Sequence, residues 1–475
     1  MSEMITVSES RSALLDIVGE RGCLFEPEDI APYCEDWRQI LKGNALAVVR
    51  PATTEQVAAV VRFCADRRIA IVPQGGNTSM LGGATPSADG SQIVLSLSRM
   101  NKIRDLDAVD LTMTVEAGAT LKAVQDAAAA ENCMFPLSFG AEGTAQIGGV
   151  VSTNAGGNNT VRYGNTRDLV LGLEVVLPDG QIWNGLRRLR KDNTGYCLRQ
   201  IFIGAEGTLG IVTAAVLKLV PRPRDLALAF CAVPTVQAAL DLFVLCRSHH
   251  AEVIQAFEYL PGPLADLALK HFPQTRLPLA QPSEHYVLIE LADASAAAGL
   301  RDKLESLLEK AMDSRLVLDA ALAGSSAERQ AVWQLREEVS DAQKREGAII
   351  KNDVSVPVSK TPQFVDLATE ACNRRFPGIR TFAYGHLGDG NIHFHLLPAP
   401  GGDNAAFMRQ DHEIMGVVNA VVRQFEGSFS AEHGVGCLKA YMMEEWRGGA
   451  ELDAMRRIKG ALDPQGIMNP GKVLP

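Results

Sequence analysis

The sequence of 475 residues predicts an α+β fold in two or three domains, because that length exceeds what one compact core fills. Two further observations support the class. In the first half, short apolar strands run straight into glycine-rich loops. From residue 225 to about 380, helical stretches such as RDKLESLLEKAM alternate with strands such as HYVLIELA, as in an α+β domain.

The elements follow in order. Residues 1–45 are expected to form an N-terminal helical segment. RPATTEQVAAVVRFCADRRIAIVPQGG then reads as an amphipathic helix capped by Thr53 or Thr54, a buried strand at 69–72 and a glycine loop. Residues 169–221 read as strands with turns, and the Pro-Asp-Gly of LGLEVVLPDGQIW marks a hairpin. VPRPRD at 220–225 reads as a boundary. The domains expected are 46–222, 223–425 and a loop-rich C-terminal segment, 426–475.

Composition excludes several classes. An apolar fraction of 47% and a charged fraction of 21% are those of an ordinary globular protein. A formal charge of −10 disfavours nucleic acid or an anionic membrane as the main partner. No run approaches the ~18 apolar residues of a spanning helix, and the first 22 residues lack the pattern of a signal peptide. Nine scattered cysteines without a CxxC pair fit reduced thiols in a cytosolic or organelle-matrix protein, and a cytoplasmic location is expected.

Of the 42 glycines, 13 fall between Pro73 and Gly164. Glycine lets a ligand approach backbone closely, and successive N–H groups can cradle phosphate oxygens. PQGGNTSMLGG offers Pro73, Gly75, Gly76, Asn77, Thr78 and Ser79 straight after a strand. GTAQIGGVVSTNAGG adds Gly143, Thr144, Gly148, Gly149, Ser152, Thr153, Asn154 and Gly157, and GAEGTLGIVT at 204–213 is a third such loop. No GxGxxG occurs, and GIMNPGK lacks the Ser or Thr and the following helix of a P-loop. Three loops over 140 residues suit a long, phosphate-bearing cofactor.

With RYGNTRDLVLGLEVVLPDG and LRKDNTGYCLRQIFIGAEGTLGIVT, these loops resemble the FAD-binding domain of the vanillyl-alcohol-oxidase type. From Val49 to Pro475 the chain resembles the D-2-hydroxyacid dehydrogenases of that superfamily, most nearly the branch that oxidises 2-hydroxyglutarate. The resemblance implies a two-subdomain FAD-binding domain, an α+β cap domain and a C-terminal segment returning to the FAD domain. It adds Tyr163, Gly164, Glu206, Gly210, Ile211, Val212 and Asn469 to the expected FAD contacts. Some relatives attach FAD through a histidine in the first loop; no histidine precedes His249 here, so noncovalent FAD is expected.

Three of nine histidines lie in AYGHLGDGNIHFHL. Read as a hairpin turning at Gly388–Asn391, it sets His386 directly opposite His393, with His395 on the same face. Two such imidazoles can converge on one cation, and SAEHGVG offers Glu432 or His433 as a third ligand. The resemblance implies a divalent metal held by His386, His393 and Glu432, with His433 as the base. Histidine and carboxylate ligation admits Zn, Mn, Fe or Co, and zinc is the ion expected first. The hydroxyglutarate enzymes carry Asn where His395 stands.

Arg336 and Ser340, at i and i+4, share a helix face, and Lys351 starts the next strand. Read alone they are a solvated surface. The resemblance makes them binders of a substrate carboxylate, and His395 and His433 are expected to contact the substrate as well. The expected reaction oxidises a small D-2-hydroxy acid, 2-hydroxyglutarate or malate, to the 2-oxo acid: His433 takes the hydroxyl proton and the hydride passes to flavin N5. An electron-transfer flavoprotein or a quinone is the implied acceptor, and a homodimer is allowed. The alternatives are a D-lactate or glycolate dehydrogenase and, without flavin, a metal-dependent hydrolase or binding protein.

Overall fold

The computed structural model describes residues 7–475, so the first six residues of the expected N-terminal segment lie outside the described residues. The chain forms two compact units. One comprises the chain up to Gly156, Asn165–Arg222 and His433–Pro475; the other comprises Gly157–Gly164 and Pro223–Glu432.

The first unit holds a four-stranded sheet in the order Cys23–Leu24, Ala47–Val49, Ile93–Ser96, Ile71–Gln74, in which Ile93–Ser96 runs parallel to both neighbours. Helix Thr54–Arg67 makes the crossover. Thr53 caps it, accepting from Gln56 N at 3.2 Å. Val57, Val60, Val61 and Cys64 follow helical spacing and pack against Val49, Ile71, Ile93 and Leu95. The strand begins at Ile71 rather than 69, because the C-cap Arg68 adopts a left-handed conformation (φ 55) that turns the chain first.

An antiparallel five-stranded sheet follows, ordered Ile103–Asp107, Thr112–Glu116, Ile211–Lys218, Val170–Val176, Ile182–Gly185. Its last two strands are the Pro-Asp-Gly hairpin, with Gly180 at φ 78 in the turn. The C-terminal segment is less loop-rich than expected, since Ala450–Leu462 is a helix of 13 residues. Gly449 and Asp463-Pro464 are its boundaries, and the Asp463 carboxylate accepts from Ile467 N and Met468 N to close the end.

The second unit is one antiparallel seven-stranded sheet, ordered Asp319–Leu322, Asp225–Val233, His285–Asp293, Ile254–Pro261, Arg380–His386, Asn391–Leu397, Ile350–Ser355. Helices Gly262–His271 and Ser326–Arg345 cover one face. There Val332, Leu335, Val339 and Ala342 pack on Leu228, Phe230, Tyr286, Leu288, Phe382 and Tyr384. Aromatic pairs Phe243–Phe257 and Phe364–Phe394 fill the other face.

All nine cysteines are free and seven are buried. Among the described residues no helix is long and apolar enough to cross a membrane.

Candidate active site

In the first unit the three glycine loops meet. A Cβ on Gly76 would stand 1.8 Å from Thr144 O, and one on Gly75 would stand 3.4 Å from Gly149 N. Glu206 N donates to Ser152 O at 2.8 Å, and Gly207 lies against Pro73. Several of the polar side chains expected near phosphate shape these loops. Ser79 Oγ accepts from Gly83 N, Asn77 Nδ2 donates to Glu35 O, Thr153 Oγ1 donates to Gly149 O, and Asn154 Oδ1 accepts from Arg167 N.

Glu206, expected at the cofactor, turns its carboxylate to Val435 N (2.7 Å) and Gly436 N (2.8 Å), and so holds the loop that begins at His433. Burial raises its pKa, partly opposed by those two N–H groups and by Lys472. Asn469 Nδ2 ties Gly83 O to Glu206 O. Gly210, Ile211 and Val212 run into the central strand of the five-stranded sheet, with both apolar side chains buried. Gly157, Tyr163 and Gly164 belong to the second unit.

The loops fit a flavin nucleotide on two observations. Ideal Cβ positions at Gly143 and Gly149 meet nothing within 4 Å, so space lies beside the backbone there. Close by, Gln146 Oε1 is buried without a partner.

In the second unit the hairpin register differs from the expected one. His386 pairs with Asn391 and His393 with Tyr384, so the turn is 387–390. Asn391 is taken out of the turn by its own bonds, Nδ2 to Asp353 Oδ1 (2.8 Å) and to Val354 O (3.1 Å). The slip is two residues, which preserves the face. His386, His393 and His395 therefore share one face as expected, although His386 and His393 are diagonal neighbours with ring centroids 5.3 Å apart.

Ligand atoms of His386, His393 and Glu432 lie within 4.8 Å of one another. His393 Nε2 stands 3.7 Å from Glu432 Oε1. That is long for a hydrogen bond and close to the ~3.4 Å separating two ligands of one tetrahedral ion with bonds of about 2.1 Å. His386 Nδ1 is engaged by Glu258 Oε1 at 2.6 Å, leaving Nε2 as the ligand atom. His393 Nδ1 lies 3.6 Å from Asp353 Oδ1, and Asp353 Oδ2 accepts from Glu432 N at 2.9 Å. The donor set suits a divalent ion with carboxylates behind its imidazoles. Burial works to raise the Glu258 pKa, but the charges of His386 and Arg336 outweigh it and hold the carboxyl at about 2.

The clamp residues gather on the same face. Helix Ser326–Arg345 turns Arg336, Ser340 and Gln343 toward it. The Arg336 guanidinium lies over the Tyr384 ring at 5.1 Å, and the Ser340 hydroxyl hydrogen-bonds the Tyr384 phenol. His395 Nδ1 donates to Gln343 Oε1 at 2.6 Å, and Lys351 pairs with His395 across the strands. Arg336, however, already has a carboxylate partner: its Nε and Nη2 donate to Glu258 Oε2 at 2.9 and 2.8 Å. His433 is half-buried in the first unit, one peptide bond beyond Glu432.

Sequence reasoning missed Glu258, Asp353, Tyr384 and Gln343. The signal for the two acids was a lone carboxylate inside an apolar strand, VIQAFEYLP and AIIKNDVSVP. A charge so placed is paired or functional.

Known families match both halves of the chain. The FAD binding domain family matches residues 45–185, and the family of FAD linked oxidases, C-terminal domain, matches 222–473. Mitochondrial D-2-hydroxyglutarate dehydrogenase of Bos taurus is 38% identical over 474 residues, covering 99% of this chain and 84% of that protein. Its Rattus norvegicus counterpart is 37% identical over 475 residues, covering 99% and 86%. Substrate-bound p-cresol methylhydroxylase shares the fold, with a TM-score of 0.76 at 19% identity over 98% of this chain and 96% of that one. The expected cytoplasmic location is overturned by these relatives, which are mitochondrial proteins; scattered reduced cysteines do not distinguish the cytosol from an organelle matrix. The chain belongs to the FAD-linked oxidases of the vanillyl-alcohol-oxidase type, is an FAD-binding oxidoreductase, and is closely related to the D-2-hydroxyglutarate dehydrogenases.

Proposed function

We propose that this protein is a metal-dependent dehydrogenase that oxidises D-2-hydroxyglutarate, or D-malate, to the 2-oxo acid. The observation that carries the reading is one sheet face bearing His386, His393, His395 and Lys351, with Glu432 from a loop beside the histidines and Arg336 and Ser340 from the covering helix. A bare 2-hydroxy acid needs His386, His393 and Glu432; a second carboxylate gives Arg336, Lys351 and His395 a purpose.

His386 Nε2, His393 Nε2 and a Glu432 oxygen would hold the divalent ion, zinc in the first instance, which when bound lowers the pKa of a substrate hydroxyl. The glycine loops would hold FAD noncovalently, and when bound it would supply the hydride acceptor. His433 accepts the hydroxyl proton as the general base. Ser340 and Lys351 hold the distal carboxylate by hydroxyl and point charge, and Arg336 presents whatever N–H groups Glu258 leaves. The electron acceptor would be an electron-transfer flavoprotein or a quinone.

A second reading follows from the Arg336–Glu258 pair. A guanidinium already neutralised by the protein binds a diacid less strongly, which favours D-lactate or glycolate. A panel of D-2-hydroxy acids with a dye acceptor separates the two. D-2-hydroxyglutarate should have the highest kcat/KM, and chelation should abolish turnover while the flavin stays bound, with zinc or manganese restoring it. Acid precipitation should release all the FAD. A preference for D-lactate would overturn the diacid assignment, and full turnover after chelation would overturn the metal.

A further inference from the structure

Glu258 is neither one of the three ligands nor part of the clamp, yet its two oxygens are divided between them. Oε1 engages His386 Nδ1 at 2.6 Å, and Oε2 accepts from Arg336 Nε and Nη2 at 2.9 and 2.8 Å. The side chain is 1% exposed, so water does not compete for either oxygen. Its strand, Ile254–Pro261, lies inside the sheet and pairs Tyr259 with Gly385, which sets Glu258 beside His386 in register. Arg336 reaches it from the helix above, and the Tyr384 ring beneath the guanidinium limits where the fork can go.

Resting on the metal- and diacid-dependent reading above, we infer that Glu258 is a positioning residue that sets both halves of the site at once. It holds His386 in the tautomer whose Nε2 is the ligand atom, and it fixes the Arg336 fork beside the substrate. A carboxylate behind a ligating imidazole orients the ring and makes it a stronger donor. Because one rigid carboxylate serves both partners, loss of its charge loosens the cation site and the carboxylate site together. A carboxylate that merely neutralised Arg336 would leave the cation site untouched.

The test uses the flavin-loaded protein. Zinc affinity is measured by competition with a chromogenic chelator, and KM is measured for D-2-hydroxyglutarate and D-lactate. In Glu258→Gln one amide oxygen replaces two carboxylate acceptors, so zinc affinity should fall ~10- to 100-fold. KM should rise more for the diacid than for D-lactate. Zinc affinity within two-fold of wild type overturns the proposal.

If Glu258→Gln folds poorly because Arg336 is left unpaired, Glu258→Gln/Arg336→Met removes both charges. That variant should regain its flavin content and keep the weakened zinc affinity. Zinc affinity restored in the double variant overturns the proposal, since the single variant would then have lost metal through a damaged fold. Wild-type protein that binds no divalent ion is a different failure: it overturns the metal-dependent reading, and the inference with it.

Discussion

The glycine loops of the first unit and the sheet face of the second build their surfaces from opposite materials. In the loops, backbone does the work. The polar side chains Ser79, Asn77, Thr153 and Asn154 are spent on holding the chain in shape, and two glycines leave open space. On the sheet face, side chains do the work, and rigid paired strands set their spacing. The difference lies in what a substitution disturbs. A loop made of backbone is broken by adding one carbon wherever a Cβ would meet other backbone; a face made of side chains is altered chiefly by removing a charge.

The largest effect expected from this contrast is at Gly436. Its φ is +55, and a Cβ there would stand 1.9 Å from Leu81 O. Strain and overpacking together should cost Gly436→Ala more than about 3 kcal/mol. The measurable result is little flavin retained and a large fall in Tm. A flavin-replete Gly436→Ala protein with wild-type Tm would show that the loops yield, and the contrast would break.

Next in size is Arg336→Met. A charge-assisted hydrogen bond is worth roughly 1.5–3 kcal/mol, so kcat/KM for D-2-hydroxyglutarate should fall ~10- to 150-fold, while D-lactate changes only a few-fold. Because the buried Glu258 loses its partner, Tm should fall as well. Equal losses on both substrates would mean that Arg336 serves only Glu258.

Gly149→Ala sharpens the loop side of the comparison. Gly149 sits within helix Ile147–Ser152 with nothing near its Cβ position. Alanine should stabilise the flavin-free protein by about 1 kcal/mol through helix propensity. FAD affinity should fall if the cofactor occupies that space. Unchanged FAD affinity would move the cofactor elsewhere.

The smallest effect tests a charge away from the proposed ligands. Glu346 accepts hydrogen bonds from Lys270, Arg380 and His271, which lower its pKa from 4.5 to about 2. A depressed carboxylate stabilises the fold above pH 4.5 and loses that contribution as pH falls toward 2. Glu346→Gln should therefore lower stability by about 1 kcal/mol at pH 7, with the gap closing below pH 4.5. A gap that persists at pH 2.5 would assign the loss to packing rather than charge.

By itself the sequence determined the parts that depend on local spacing. A threonine cap at 53 or 54 and the Pro-Asp-Gly hairpin follow from cap and turn chemistry, and the shared face of His386, His393 and His395 follows from a period of 2 residues, all set by adjacent residues. Even the two-residue slip of the hairpin kept that face, because strand periodicity tolerates any even shift. Only the tertiary structure decided what came from other strands and helices. Asn391 left the turn because Asp353 and Val354, on a third strand, captured its amide. Glu258 became the partner of both His386 and Arg336 although 128 and 78 residues separate them. The same long-range pairing turned Glu206 toward Val435 and Gly436 and set Gly157–Gly164 in the second unit. A side chain's type and face are properties of its own segment, whereas its partner is chosen by whichever distant segment the folded sheet places against it.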